Sequence, residues 1–257
     1  MFAKKNLIAV AALATLAVSA QAQSSVTLYG NLDVGLTYEK VKQAGNSDTT
    51  TGVTSSILTE SFFGLKGQED LGGGLKAIFK LESFIDVDTG ATTAGNFFGK
   101  NAYVGLAGDF GTVKLGNQES LFKTEAGAFD AFGFSPELAV SQLFVGNVSW
   151  QNTIGYTSPN LSGLTLSAQH SAKEGGKAVV AGDVNGGATA VAANYTVGAL
   201  GLSAVYGDVR SVDTSVVTEK NQAWLLGASY DFGVVKAFAQ YGQNKAEDAA
   251  GADVFKD

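Results

Sequence analysis

The chain has 257 residues, 33 of them Gly, with no Cys and one His, and its 24 acidic residues against 17 basic ones give a net charge of −7. Without thiols there is no disulfide framework, thiol nucleophile or thiolate metal site, and a single imidazole, His170, leaves most metal and hydrolase chemistry without parts. An acidic chain whose sole arginine is Arg210 also lacks the clustered cations that nucleic acid requires.

In chain order, the first feature is an export signal. Lys4 and Lys5 precede an apolar run from Leu7 to Val18, and Ala20-Gln21-Ala22 places small residues where a signal peptidase reads them. The run is too short for the ~20 residues of a membrane helix, so cleavage is expected after Ala22, with residues 1–22 as leader and 23–257 as one β domain.

From there apolar and polar residues alternate with a period of two, the mark of strands with one greasy and one wet face. Val26, Leu28, Gly30, Leu32, Val34, Leu36 and Tyr38 share a face opposite Thr27, Tyr29, Asn31, Asp33, Gly35, Thr37 and Glu39. Leu75, Ala77, Phe79 and Leu81 oppose Lys76, Ile78, Lys80 and Glu82; Leu164, Leu166 and Ala168 oppose Thr165, Ser167 and Gln169. Trp224, Leu226, Ala228 and Tyr230 oppose Leu225, Gly227, Ser229 and Asp231. Strands are expected to start near residues 25, 57, 75, 98, 112, 149, 164, 188, 202, 221 and 234.

The connections alternate too. Tight turns opened by Asp or Asn and carrying Gly recur at Asp70-Leu71-Gly72-Gly73-Gly74, Asp109-Phe110-Gly111, Asn160-Leu161-Ser162-Gly163 and Asp231-Phe232-Gly233, with Gly198-Ala199-Leu200-Gly201 as a variant. Between them run long connections rich in Gly, Ala, Thr, Asn and Asp, from Lys42 to Thr54, Asp88 to Asn96 and Lys173 to Gly187. Short turns on one edge, long loops on the other and aromatics near strand ends (Tyr38, Phe63, Phe79, Tyr156, Tyr195, Tyr206, Trp224, Tyr230, Tyr241) describe a transmembrane β-barrel. In lipid only a closed sheet satisfies its own edges, and acyl chains cover the greasy face that a soluble sandwich would bury.

With these features in place, the wording of the chain resembles a known family. Ser24-Ser25-Val26-Thr27-Leu28-Tyr29-Gly30, Gly64-Leu65-Lys66-Gly67 followed by Glu69-Asp70-Leu71-Gly72-Gly73-Gly74-Leu75-Lys76-Ala77, Ala102-Tyr103-Val104-Gly105-Leu106 with Gly108-Asp109-Phe110-Gly111, and Tyr156-Thr157-Ser158-Pro159-Asn160 resemble the general bacterial porins of the betaproteobacterial trimeric branch. The resemblance implies an all-β, antiparallel, sixteen-stranded homotrimeric barrel in the outer membrane of a Gram-negative bacterium, embedded in lipid. It further implies passive passage of small hydrophilic solutes and ions, with no enzymatic activity and no cofactor. At roughly 20 residues per strand and connection this chain holds only about eleven strands, so the barrel domain is expected to be incomplete at its C-terminus, where Val254-Phe255-Lys256-Asp257 replaces the family's terminal aromatic. A natural smaller barrel is the alternative.

The resemblance also places a pore constriction in the connection from Glu119 to Asn147, which in the family folds into the barrel. It carries Glu119, Glu125, Asp130 and Glu137 with Lys123 as its one base, and Pro136 interrupts regular structure. Alternation puts Lys66, Lys76, Lys80 and Lys114 on the water-facing side of the wall. Loop carboxylates opposite wall cations would set a transverse field across the passage. Where the family carries wall arginines this chain has Phe62, Asn117 and Gly155, with Lys100 as a conservative replacement, and with the acidic loop this predicts a weakly selective or mildly cation-preferring pore. Lys100 and Asn117 share the parity of the greasy face, which requires a rim position or a bulge there.

Other chemistry finds little support. His170 beside Ser167 and Ser171 lacks the carboxylate and nucleophile elbow of a hydrolase. The two Asp-Phe-Gly triplets read as turns, and Asp86-Val87-Asp88 falls short of a calcium loop. The rival functions are a barrel-type surface adhesin and a soluble secreted β-sandwich.

Overall fold

A computed structural model describes residues 25–43, 46–92, 96–136, 138–143, 149–172, 187–210, 218–248 and 253–256. The expected leader and nearly all of the Lys173 to Gly187 connection lie outside the described residues. The strands are Ser25–Asn31 (β1), Val34–Gln43 (β2), Asn46–Ser55 (β3), Phe62–Gly72 (β4), Leu75–Phe84 (β5), Asn101–Gly108 (β6) and Gly111–Glu119 (β7). There follow Ser149–Thr157 (β8), Leu164–Ser171 (β9), Ala188–Val197 (β10), Leu200–Val209 (β11), Thr218–Asp231 (β12), Lys236–Asp248 (β13) and Asp253–Lys256 (β14). One helix of eight residues, Leu121–Ala128 (α1), and a 3-10 turn at Val140–Leu143 fill the connection between β7 and β8.

Twelve strands form one antiparallel sheet in the order β1-β4-β5-β6-β7-β8-β9-β10-β11-β12-β13-β14, and β2 and β3 pair separately as a hairpin. The eleven strands expected from the sequence are present as β1 and β4 to β13, but the second, expected near residue 57, starts only at Phe62, after an irregular segment. The tight turns form for the reason their residues suggested. Gly72 and Gly233 donate their N–H to Asp70 and Asp231 at 2.8 and 2.7 Å, Gly163 donates to Asn160 at 2.6 Å, and all three glycines have positive φ (87°, 85° and 98°).

Two expectations are corrected. The first strand does not run unbroken to Glu39: Asp33 turns out of the ladder, and its carboxylate accepts the N–H groups of Leu58 and Thr59, the latter at 2.7 Å. The stretch from Lys42 to Thr54 is not a loop, because Asn46–Ser55 forms β3 against β2, with Leu36 opposite Val53 and Tyr38 opposite Thr51. Its threonines favour extended backbone, but polar residues at both parities hide the alternation.

The register separates the faces cleanly. Lys66 lies opposite Lys80, Lys80 opposite Tyr103, and on the far side Val205 lies opposite Leu225, all on the face that carries α1. The other face shows Leu28, Val104, Val191 and Tyr241 at 71%, 61%, 50% and 73% exposure. So many exposed large side chains in adjacent strands would be untenable in water and suit hydrocarbon.

Contacts of α1 show that the sheet is rolled. On one side Lys123 pairs with Glu60, just before β4; on the other, Gln240 of β13 donates to the Ala126 carbonyl at 3.0 Å. Laid flat, the nine strand spacings from β4 to β13 would separate these partners by roughly 43 Å, at about 4.8 Å each. The whole of α1 is only about 12 Å long, so the strands must curve around it. Its seat is apolar: Phe122 and Ala126 pack on Ala192, Val205, Ala223 and Leu225, all buried. Gly207 leaves the room, since a Cβ there would lie 2.7 Å from the Phe122 ring.

Candidate constriction and lumen-facing charges

The helix α1 begins where the sequence allows it. Ser120, in extended conformation, accepts the Lys123 N–H at 3.1 Å as N-cap, and the helix ends at Phe129, whose N–H bonds the Ala126 carbonyl at 3.3 Å. Starting the helix at Leu121 sends Phe122 and Ala126 toward the wall formed by β10 to β12 and sends Lys123 toward β4.

Four charges meet beside that first turn. Lys100 Nζ lies 2.6 Å from Glu119 and 2.8 Å from Glu60, and Lys123 Nζ bonds Glu60 and lies 3.2 Å from Glu119. Acids and bases alternate, so the cluster carries no net charge. Asn101 donates to the second Glu119 oxygen at 3.0 Å, while the rings of Phe62 and Phe84 stand 5.2 Å from the Lys100 ammonium. Lys100 and Lys123 are only 7% and 5% exposed. Burial works against the charge on Lys100, but the carboxylates of Glu119 and Glu60 outweigh it and hold its pKa above the ordinary lysine value of 10.5.

Next to this cluster lies a second buried acid. Glu82, 1% exposed, accepts from Tyr29 Oη and from Asn101, and pairs with Lys80 at 3.0 Å. Beyond it on the same face, Lys66 stands over the Tyr29 ring at 4.6 Å and Lys114 over the Tyr103 ring at 5.3 Å. Neither of these two lysines forms an ion pair among the described residues, and Lys66 is exposed.

The other loop carboxylates are occupied by neutral donors. Glu125 accepts from Asn194 of β10 at 2.9 Å and from Ser203 of β11 at 2.8 Å, which fastens the middle of α1 to the wall. Asp130 accepts the N–H groups of Phe132 and Val140 at 2.9 and 2.6 Å and so ties the connection after α1 to itself. Glu137 lies outside the described residues.

Thus the predicted residues fall into two sets. Glu119, Lys123 and Lys100 come together in one cluster, whereas Lys66, Lys80 and Lys114 form a row on β4, β5 and β7. The parity conflict at Lys100 and Asn117 is real: Lys100 precedes β6, and Asn117 sits where the β7 to β8 register shifts, its amide donating to the Gly99 carbonyl at 2.9 Å. Phe62 turns its ring to Lys100, and the space beside Gly155 is filled by Gln118, 2.6 Å from where a Cβ would stand. Glu60 was missed, and no local pattern announced it, since its partners are 40 and 63 residues away. Glu82 was legible as wet-facing, but not as paired. His170 lies on the outward face with Nδ1 2.8 Å from the Thr189 hydroxyl, far from this machinery.

Known proteins agree with this architecture. Residues 9–256 match the model of the Gram-negative porin family. The chain is 35% identical to outer membrane porin protein 32 of Delftia acidovorans over 98% of its own length and 72% of that protein's. It is 31% identical to an outer membrane porin protein of Bordetella pertussis, over 93% and 69%. Among solved structures it is similar to the anion-selective porin from Comamonas acidovorans, at a TM-score of 0.76 and 30% identity, covering 90% of this chain and 70% of that one. A helix lying across the inside of a rolled antiparallel sheet, a greasy outer face and these likenesses lead to one conclusion: the chain belongs to the Gram-negative porin family, outer-membrane β-barrels that act as passive diffusion channels and not as enzymes.

Proposed function

We propose that the passage narrows where α1 crosses it, between residues 119 and 147, and that it favours anions mildly, with Lys66 and Lys114, on either side of the Glu82-paired Lys80, as the wall charges a permeating ion meets. Lys66 and Lys114 lack carboxylate partners among the described residues while Glu119 is paired with Lys100 and Lys123, and this imbalance of ion pairing carries the reading; Glu125 and Asp130 keep their charge but are tied to the β10 and β11 wall and to their own loop by neutral donors. A neutral cluster projects little field, whereas an unpaired ammonium acts over about 8 Å at physiological salt. Sequence alone leans toward cations because it cannot see that Glu119 is neutralised by Lys100 and Lys123. The anion-selective character of the related Comamonas porin supports the revised sign.

The assembly we propose is the homotrimer that the family resemblance implies, in outer-membrane lipid, with residues 1–22 as an export leader that N-terminal sequencing of the mature protein would locate. The test of selectivity is a planar-bilayer recording in a potassium chloride gradient. A reversal potential on the chloride side is expected; one on the potassium side overturns the reading and returns the acidic connection to the dominant role.

A further inference from the structure

The connection that carries α1 is held from a place that neither flanks it in sequence nor belongs to the strands it seals. Residues 56–61, between β3 and β4, touch it twice: Glu60 receives the Lys123 ammonium, and the Ile57 carbonyl accepts the Ser135 hydroxyl at 3.2 Å. This short segment is itself fixed. Asp33 accepts from Leu58 and Thr59, Ser61 donates its hydroxyl to the Asp33 carbonyl at 3.0 Å and its N–H to Ser56 Oγ at 2.9 Å, and Asn31 donates to the Glu60 carbonyl at 3.2 Å. Glu60 therefore projects from a stiff platform and divides its two oxygens between Lys100 and Lys123. On the opposite side α1 rests on apolar contacts and on Glu125.

We infer that Glu60 is a positioning residue that fixes α1 across the passage and thereby sets its bore. With Glu60 present, α1 is clamped from both walls. Without it, Lys100 and Lys123 share Glu119 alone, the cluster gains a positive charge, and the β4 side of the helix is released into the passage. The inference does not depend on the sign of selectivity proposed above.

Single-channel recording of Glu60→Gln tests it, with heat-modifiable gel mobility reporting that the barrel has assembled. Occupancy of a second, noisier conductance level is expected to rise about tenfold, the weight of one buried charge-assisted bond, with a reversal potential shifted toward anions. Removing both partners in Glu60→Gln/Lys123→Gln restores the net charge, so the reversal potential should return to the wild-type value while the extra level persists. Because the chain has no Cys, Glu60→Cys/Lys123→Cys can be bridged by a bis-methanethiosulfonate, which forms a disulfide at each cysteine with loss of sulfinate, and bridging should silence the extra level until a reductant cleaves those disulfides. Glu60→Asp keeps the charge and shortens the reach by a methylene, and should Glu60→Gln not assemble it carries the same prediction for the extra level, with the reversal potential unchanged. A single quiet level of wild-type conductance in an assembled Glu60 variant, or a bridge that leaves the noise unchanged, overturns the inference.

Discussion

Lys100 and Lys123 at one level of the passage, and Lys66 and Lys114 at another, are the same side chain on the inner side of the same barrel. The first two are sealed among Glu60, Glu119 and aromatic rings; the second two lie over tyrosine faces and form no ion pair among the described residues. A charge in the first setting holds the structure together and contributes almost no external field. In the second, on the function proposed above, it is left to act on whatever passes. The sign of a residue in a channel wall therefore says less than its pairing does.

The comparison breaks most severely at Lys100. Lys100→Met leaves two buried carboxylates to share Lys123, and removing one partner of such a cluster costs about 3–5 kcal/mol. The temperature at which the folded gel band converts should drop markedly, and a drop no larger than that of an exposed-lysine variant would show that the cluster is not buried in the membrane-embedded protein. Next in size is Gly207→Val. Its side chain would enter the space of the Phe122 ring, and overpacking of this kind costs roughly 1–3 kcal/mol. Displacing α1 from β11 moves it into the passage, so conductance should fall along with stability; unchanged conductance would mean that Phe122 repacks without moving the helix.

How far these regions could be read in advance follows from their chemistry. Strict alternation placed Lys66, Lys80 and Lys114 on the wet face, because a strand's side-chain direction is set by parity alone, and the register of β4, β5 and β7 follows it. The odd parity of Asn117 pointed to a true irregularity at Gly116 and Gln118. The sealed cluster could not be read that way. Glu60 meets Lys123 only because the sheet rolls, and Glu125 meets Ser203 across 78 residues for the same reason. In one dimension the connection from Glu119 shows four acids and a base; in three, the described acids find partners on other strands or within the loop. β3 escaped notice because Asp48, Thr49, Thr50 and Thr51 are polar on both faces.

Sharpening the other half of the comparison needs a smaller perturbation. Lys66→Gln removes an exposed charge and should leave stability within about 0.5 kcal/mol of wild type, while the reversal potential moves toward cations. Combined with Lys114→Gln the shift should grow, since both charges face the same passage. A large loss of stability without a shift would reverse the roles assigned to the two sets of lysines.

The least visible effect in ordinary conditions is the pH dependence of the sealed set, and its direction is fixed by linkage. The folded pKa of Lys100 lies above its unfolded value of 10.5, raised by Glu119 and Glu60 against the opposing effect of burial. A group shifted upward contributes its full share of stability below the unfolded value and loses it as pH climbs through the folded one. The conversion temperature should therefore show no contribution from Lys100 titration between neutral pH and 10.5, then an alkaline decline as the ammonium is lost and the two acids lose a shared partner. Lys100→Met, already destabilised, should lack that alkaline component, whereas Lys66→Gln should retain it. A decline of equal size in Lys100→Met would place the titrating group elsewhere and remove Lys100 from the centre of the cluster.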